Sequence, residues 1–458
     1  MLDIALFREE KGGNPDLIRE SQRRRFESVE LVDEVIAKDK EWRDARGELD
    51  DCNAQMNKIG KEISKIMRET KGNKEAAATQ LEQKATIEKR IAELKEHVVT
   101  LKNELDSKLH TVGNLIHESV PVHDDEEHNR QERTYGECKP LGNGRPHHEL
   151  LWMIDGYEPE RGVAVAGARQ YFLKGMGVRL QMALVNYGIS FLAARGYTPL
   201  QVPFMMRQDI MAETAELAQF DEELYKVTGE GDDKYLIATS EQPISAYHRG
   251  EWMNPKSLPL KYAGSSTCFR KEAGSSGRET WGIFRVHQFE KVEQFVLCDP
   301  ESSEKHHEEM CALSEEFLQS LEIPYQVISI VSGALNKAAA KKYDIEAWFP
   351  GYDQYKEVVS CSNCTDYQAR RLQIRYGESK VSGQTTQPYV HMLNGTLCAT
   401  TRTICAILEN HQTPEGIRIP EVLKPYLHLP EGQDMIPFTR ELVKPKASGG
   451  KKKKGGKK

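Results

Sequence analysis

Between Lys261 and Leu297 the chain reads K-Y-A-G-S-S-T-C-F-R-K-E, then A-G-S-S-G-R-E-T, then W-G-I-F-R-V-H-Q-F-E-K-V-E-Q-F-V-L. Two aromatic and β-branched runs flank a Gly/Ser-rich loop, which predicts a β-hairpin with a long flexible tip. Side chains alternate across a strand, so Arg270 and Glu272 share one face of the first strand, and Arg285, Phe289 and Glu293 one face of the second. A strand built only for a core would place apolar residues there. Arg, Glu and a solitary Phe suit instead a ligand with an anionic group, an aromatic ring and a cationic amine. Arg offers a planar fork to phosphate or carboxylate, Phe289 a stacking face for a purine, and Glu293 an acceptor for an ammonium. A nucleoside triphosphate together with an amino acid carries all three groups. The alternative is an exposed edge hairpin laced by cross-strand ion pairs.

Three other stretches hold residues of chemical interest. K-Y-L-I-A-T-S-E-Q at 234–242 runs a strand into a helix start, and Thr239 with Gln242 has the spacing of a capping box. E-V-V-S at 357–360 leads into C-S-N-C. Cys361 and Cys364 have redox or zinc spacing, but a structural zinc site needs a second pair and none follows, so no zinc is expected. His147 and His148 likewise have no Cys or carboxylate at ligand spacing. Further on, a strand from Tyr389 to about Asn394, a break at Gly395-Thr396 and a helix through Leu408 would place Arg402 near a helix start. The macrodipole gives Arg nothing there, so the placement makes sense if a phosphate sits beside both; otherwise Arg402 is a solvated surface residue.

These stretches need a frame. A chain of 458 residues exceeds what one core usually organises. From about Glu27 to Thr70 the pattern is one long helix. Leu49, Cys52, Met56, Ile59, Ile63 and Ile66 form a coiled-coil seam. Lys71-Gly72-Asn73 breaks it, and Ile87, Ile91, Leu94, Val98, Leu101 and Leu105 repeat it. Two matching seams joined by a short connection predict an antiparallel hairpin, either a protruding arm or a dimerisation element. The turn favours the arm, because each helix already has a partner within the chain. Residues 113–145 read as a polar linker, 167–195 as a helix ending at Gly196, and Y-T-P-L-Q-V-P as a short strand closing on Pro203. Residues 444–458, lysines interleaved with glycines, are expected to be disordered and to attract phosphate.

Net charge is −7, which disfavours a globally basic nucleic-acid binder without excluding a local basic surface. No apolar run approaches the ~20 residues of a membrane span, and Asp3, Glu9 and Glu10 leave no signal-peptide core. Nine cysteines without framework spacing fit a reducing, cytoplasmic compartment.

The run F-R-K-E, a loop, then F-R-V-H-Q-F-E-K-V-E resembles the second signature motif of the class II aminoacyl-tRNA synthetases in the form found in seryl-tRNA synthetases. A-T-S-E-Q at 238–242, E-V-V-S-C-S-N-C at 357–364 and N-G-T-L-C-A-T-T-R at 394–402 agree in order and spacing, and the resemblance runs from M-L-D-I to about residue 440. It implies an α+β fold with a tRNA-binding coiled-coil domain over 1–115 and a catalytic domain on an antiparallel sheet flanked by helices over 116–443. It implies a homodimer through the catalytic domain, with no membrane association. The reaction it implies is activation of L-serine with ATP and transfer to tRNA(Ser), and also to tRNA(Sec). ATP would be held by Arg270, Lys271, Glu272, Arg285, Val286, Phe289, Glu357, Val358, Val359, Ser360 and Arg402. Serine would lie on Thr239, Ser240, Glu241, Glu293 and Thr396. The implied catalytic groups are Arg270, Glu272 and Arg402, with Mg²⁺ on Glu357 and, alongside it, Ser360. A non-catalytic RNA-binding relative would have lost the Arg/Glu pairs, which are intact here. A synthetase for another amino acid is opposed by the arm and by the T-S-E segment.

Overall fold

The two apolar seams close on each other. In the computed structural model, which describes residues 1–214, 222–229, 231–272, 277–377, 388–430 and 432–442, a short helix α1 (Pro15–Arg24) leads into α2 (Glu30–Glu69) and α3 (Ala78–Leu109). Every seam residue is buried or half-buried, while the intervening Lys, Glu and Gln positions are mostly exposed. Ion pairs Lys38–Glu104 at 3.0 Å, Arg90–Glu48 at 2.7 Å and Lys108–Glu34 cross between the helices and show them to be antiparallel. With 40 residues, α2 is about 60 Å long. Its base is anchored: Val32, Val35, Leu105, Leu109 and Val112 share a core with Leu2, Phe7, Ile18 and Tyr367.

The remainder is organised by an eight-stranded sheet. In chain order its members are β1 (Arg130–Tyr135), β2 (Thr198–Gln201), β3 (Leu260–Phe269), β4 (Gln288–Cys298), β5 (Tyr325–Ser329), β6 (Lys341–Phe349), β7 (Gln354–Asn363) and β8 (His391–Ala399). They lie in the order β1-β5-β6-β7-β8-β4-β3-β2, antiparallel except where β2 meets β3. Helices α4 (Met176–Ala193), α6 (Ser303–Ser320) and α8 (Thr400–Asn410) bury Leu180, Leu184, Phe317 and Ile404 with Val292 and Val296 of β4 in one large core. Phe295 and Leu297 of β4 belong to a second core with Ile237, Ile244 and Met392. Alternate residues of β4 thus meet different cores, and the face of Phe295 and Leu297 continues into Glu293 and Lys291.

Several expectations are corrected. Residues 113–145 are more than a linker: β1 pairs with β5, and Val120 packs with Ile328 and Ile330. All six residues of β1 are exposed, so no apolar alternation marks it as a strand. The helix within 167–195 begins only at Met176, because Phe172–Leu173 form a ribbon with Tyr157–Glu158. The expected break at Gly395-Thr396 is strand. Gly395 serves close packing, since a Cβ there would lie 3.1 Å from Cys361 Sγ. The first strand of the central hairpin stops at Phe269 and the second starts at Gln288, so Arg270, Glu272 and Arg285 stand on loops. The expected tip at 273–276 and the tail at 444–458 lie outside the described residues.

Candidate active site

One register row crosses the sheet beneath the site. Glu293 lies opposite Gly264 on one side and Thr396 on the other. The β7–β8 register, Cys361 opposite Gly395, continued by one residue sets Ser360 opposite Thr396, and Asp344 lies opposite Ser360. Cross-strand partners share a face, so residues far apart in sequence converge without being adjacent in it. Gly264 is required where it stands. A Cβ there would lie 2.6 Å from Ser240 Oγ and 2.5 Å from Ile244 Cδ1, so glycine alone lets residues 239–244, including the short helix α5 (Glu241–Ser245), settle onto the sheet.

That segment closes over Glu293, which is 3% exposed. Glu293 Oε2 accepts from the Thr239 hydroxyl at 2.5 Å, the Ser240 hydroxyl at 2.6 Å and the Glu241 amide at 3.2 Å. Oε1 faces Lys291 Nζ at 2.7 Å, and Lys291 also donates to Thr239 at 2.9 Å. Burial alone would raise the Glu293 pKa; Lys291 and the two hydroxyls outweigh it and hold the carboxyl below its ordinary value. Glu241 behaves oppositely. Burial and the nearby Glu293 raise it, against the opposing effect of Gln368. The capping box does not form: Thr239 is engaged by Glu293, and Gln242 Oε1 takes the Ala238 amide at 2.9 Å.

A second cluster adjoins it. Arg270, Glu272, Phe284, Arg285, Val286, Phe289, Lys291, Glu357, Val358, Thr396 and Arg402 line one pocket. Arg270 Cζ lies 5.4 Å from the Phe289 ring centre and Arg402 Cζ 5.1 Å from that of Phe284. Glu272 sits at φ 49°, in the left-handed region, and its carboxylate accepts from Arg285 Nε at 2.6 Å. Arg402, the third residue of α8, donates to the Glu357 carbonyl at 2.9 Å and pairs with its carboxylate at 3.4 Å. The surrounding protein would raise the Glu357 pKa; Arg402, Lys342 and Arg270 together lower it. Lys271, Val359 and Ser360 do not line this pocket; Val359 is in the main core, and Lys271 donates its backbone amide to the Glu223 carbonyl at 3.0 Å.

Sequence reasoning missed Lys291, although it falls midway between Phe289 and Glu293 on the same strand face and period two points to it. Phe284, Gly264 and Gln368 carried no local signal, because long-range pairing brings them in. Cys361 and Cys364 are free, buried thiols that burial pushes upward. His147 Nδ1 contacts the buried Glu409 carboxylate at 2.7 Å. Among the described residues no three His, Cys, Asp or Glu side chains are grouped to hold a metal.

The comparisons with known proteins agree over both regions. Residues 1–116 match the seryl-tRNA synthetase N-terminal domain, and residues 225–411 the tRNA synthetase class II core domain (G, H, P, S and T). A curated relative from Dictyostelium discoideum, the cytoplasmic serine–tRNA ligase, is 55% identical over 97% of both chains. Among solved structures, the cytoplasmic serine–tRNA ligase of Naegleria fowleri in complex with AMP superposes with a TM-score of 0.84 at 48% identity, covering 96% of this chain and 99% of that one. The seryl-tRNA synthetase of Pyrococcus horikoshii complexed with ATP superposes with a TM-score of 0.86 at 41% identity, covering 96% and 100%.

Proposed function

The chain belongs to the seryl-tRNA synthetases, and from that premise we infer how its own residues carry out serine–tRNA ligation in the cytoplasm. The serine carboxylate attacks the α-phosphate of ATP, the bond to the β-phosphate breaks, and seryl-adenylate and pyrophosphate form. A terminal ribose hydroxyl of tRNA then attacks the seryl carbonyl and AMP departs. The protein contributes mainly positioning and charge neutralisation.

Arg270, beside Phe289, takes the α-phosphate while the ring stacks on adenine; Glu272 orients the base, and Arg285 with Val286 completes that wall. Arg402 takes the γ end. Glu293 receives the serine ammonium, and the hydroxyl is read by Thr396 and residues 239–241. Mg²⁺ suits the oxygen donors of Glu357 and Ser360. Across from Ser360, the buried Oδ1 of Asp344 has no hydrogen-bond partner, while its Oδ2 pairs with Lys342 at 3.3 Å. Glu357 and Ser360 would hold the ion, which when bound screens phosphate charge.

The observation that carries this reading is Glu293: a buried carboxylate held charged next to a pocket with three arginines. ATP–pyrophosphate exchange tests it. Serine should drive exchange without tRNA, and stronger exchange with threonine, glycine or proline would defeat it.

The arm supports a tRNA(Ser) role because its distal half carries a groove lined by Lys61, Lys65, Arg68 and Lys84, suited to phosphates of double-helical RNA. Homodimerisation through the catalytic region is supported by exposed Phe172, Val178 and Met182 on and beside α4.

A further inference from the structure

Gln368 lies on a six-residue helix, α7 (Tyr367–Leu372), and is 4% exposed. Its Nε2 donates to Glu241 Oε1 at 2.9 Å, while its Oε1 is buried with no hydrogen-bond partner. The amide cannot profitably turn round, because that would set its oxygen against a carboxylate. The same residue lines a cleft of about 400 Å³ together with Thr239, Glu241, Arg270, His110 and Tyr367. Among the described residues, this cleft and the nucleotide pocket share Arg270 alone. An unpaired buried acceptor is unfavourable, so its retention beside the amino-acid pocket calls for a donor that arrives with the ligand.

We propose that Gln368 is the positioning and specificity-determining residue of the hydroxyl pocket. Its amide fixes one oxygen of Glu241, and its own free carbonyl is the acceptor for the single proton of the substrate hydroxyl. A substrate without the hydroxyl leaves that carbonyl unpaired, which is how a small site rejects an analogue lacking one polar group. The helix is also tied to the base of the arm: the Tyr367 hydroxyl donates to the Val112 carbonyl at 2.8 Å. This rests on the serine-activating reading above.

Exchange with serine and with alanine, measured on the full-length wild type and on Gln368→Met and Gln368→Glu, separates the possibilities. Gln368→Met should lower kcat/KM for serine by about 10- to 100-fold, equivalent to one buried hydrogen-bonding partner. The serine-over-alanine preference should shrink with it, while KM for ATP and Tm stay near wild type. Gln368→Glu faces one carboxylate with another, so its serine kcat/KM should recover as pH falls and the pair shares a proton. An unchanged serine-over-alanine ratio overturns the proposal. So does loss of Tm and ATP binding together in both variants, which marks a scaffold role. Wild-type enzyme that fails to exchange with serine defeats the functional reading instead, whatever the variants do.

Discussion

The arm and the sheet are stabilised in opposite ways. Along α2 and α3 the contacts are local and repetitive, apolar at every third or fourth residue, with ion pairs on exposed flanks that contribute little each. Across the sheet the contacts are long-range, and charge lies inside: Lys291 is 6% exposed and Glu293 3%. An interface of the first kind can be shortened turn by turn. One of the second kind fails when a single partner is removed, because the other is left charged and dry.

The largest expected effect follows from that difference. Joining residue 49 to residue 88 removes the distal half of the arm but keeps the base core of Val32, Val35, Leu105 and Leu109. Serine activation should be unchanged, whereas tRNA charging should fall on the order of 10³-fold. If activation collapses in a folded protein, the two regions are not separable. Next, Lys291→Met should destabilise the catalytic region by about 3–5 kcal/mol in urea unfolding, since Glu293 loses its ion-pair partner. Adding Glu293→Leu should restore most of that stability while serine binding stays lost; a double variant as unstable as the single one would show that the pair matters to packing and not to charge. Arg270→Ala should then reduce kcat/KM for exchange by about 2–4 kcal/mol of transition-state stabilisation. An unchanged value would place the α-phosphate elsewhere.

The same contrast explains what could be read in advance. The arm was legible almost to the residue, because a seam at 3.5-residue spacing is a one-dimensional signal and its partner lies a turn away. Phe289 and Glu293 were legible as a strand face, and Arg402 as an oddly placed helix residue. What escaped was whatever depends on register: Cys361 opposite Gly395, Gly264 admitting Ser240, and an edge strand at 130–135 whose residues are all exposed. Arg270, Glu272 and Arg285 do share one pocket, but not on the strand faces expected of them. They stand beyond the strand ends, where backbone such as that of Glu272 at φ 49° aims them and no alternation does.

The smallest effect concerns the joint between the two regions. His110 ends α3 and lines the cleft that reaches Thr239 and Glu241. Burial, then the positive charges of Arg371, the N-terminal ammonium and Lys102, lower its pKa from 6.5 to about 4. Above pH 6.5 the ring is neutral whether the protein is folded or not, and the stabilisation is fully present. Between 6.5 and about 4 the unfolded chain binds a proton that the folded one refuses, so stability falls as pH falls. The ring is partly exposed, and solvent screening reduces the contribution to about 1 kcal/mol. His110→Gln, neutral throughout, should therefore flatten the decline in Tm between pH 6.5 and 4 relative to wild type while leaving Tm at pH 8 nearly unchanged. Parallel Tm curves for the two proteins would show that the arm's base does not sense protons through this residue.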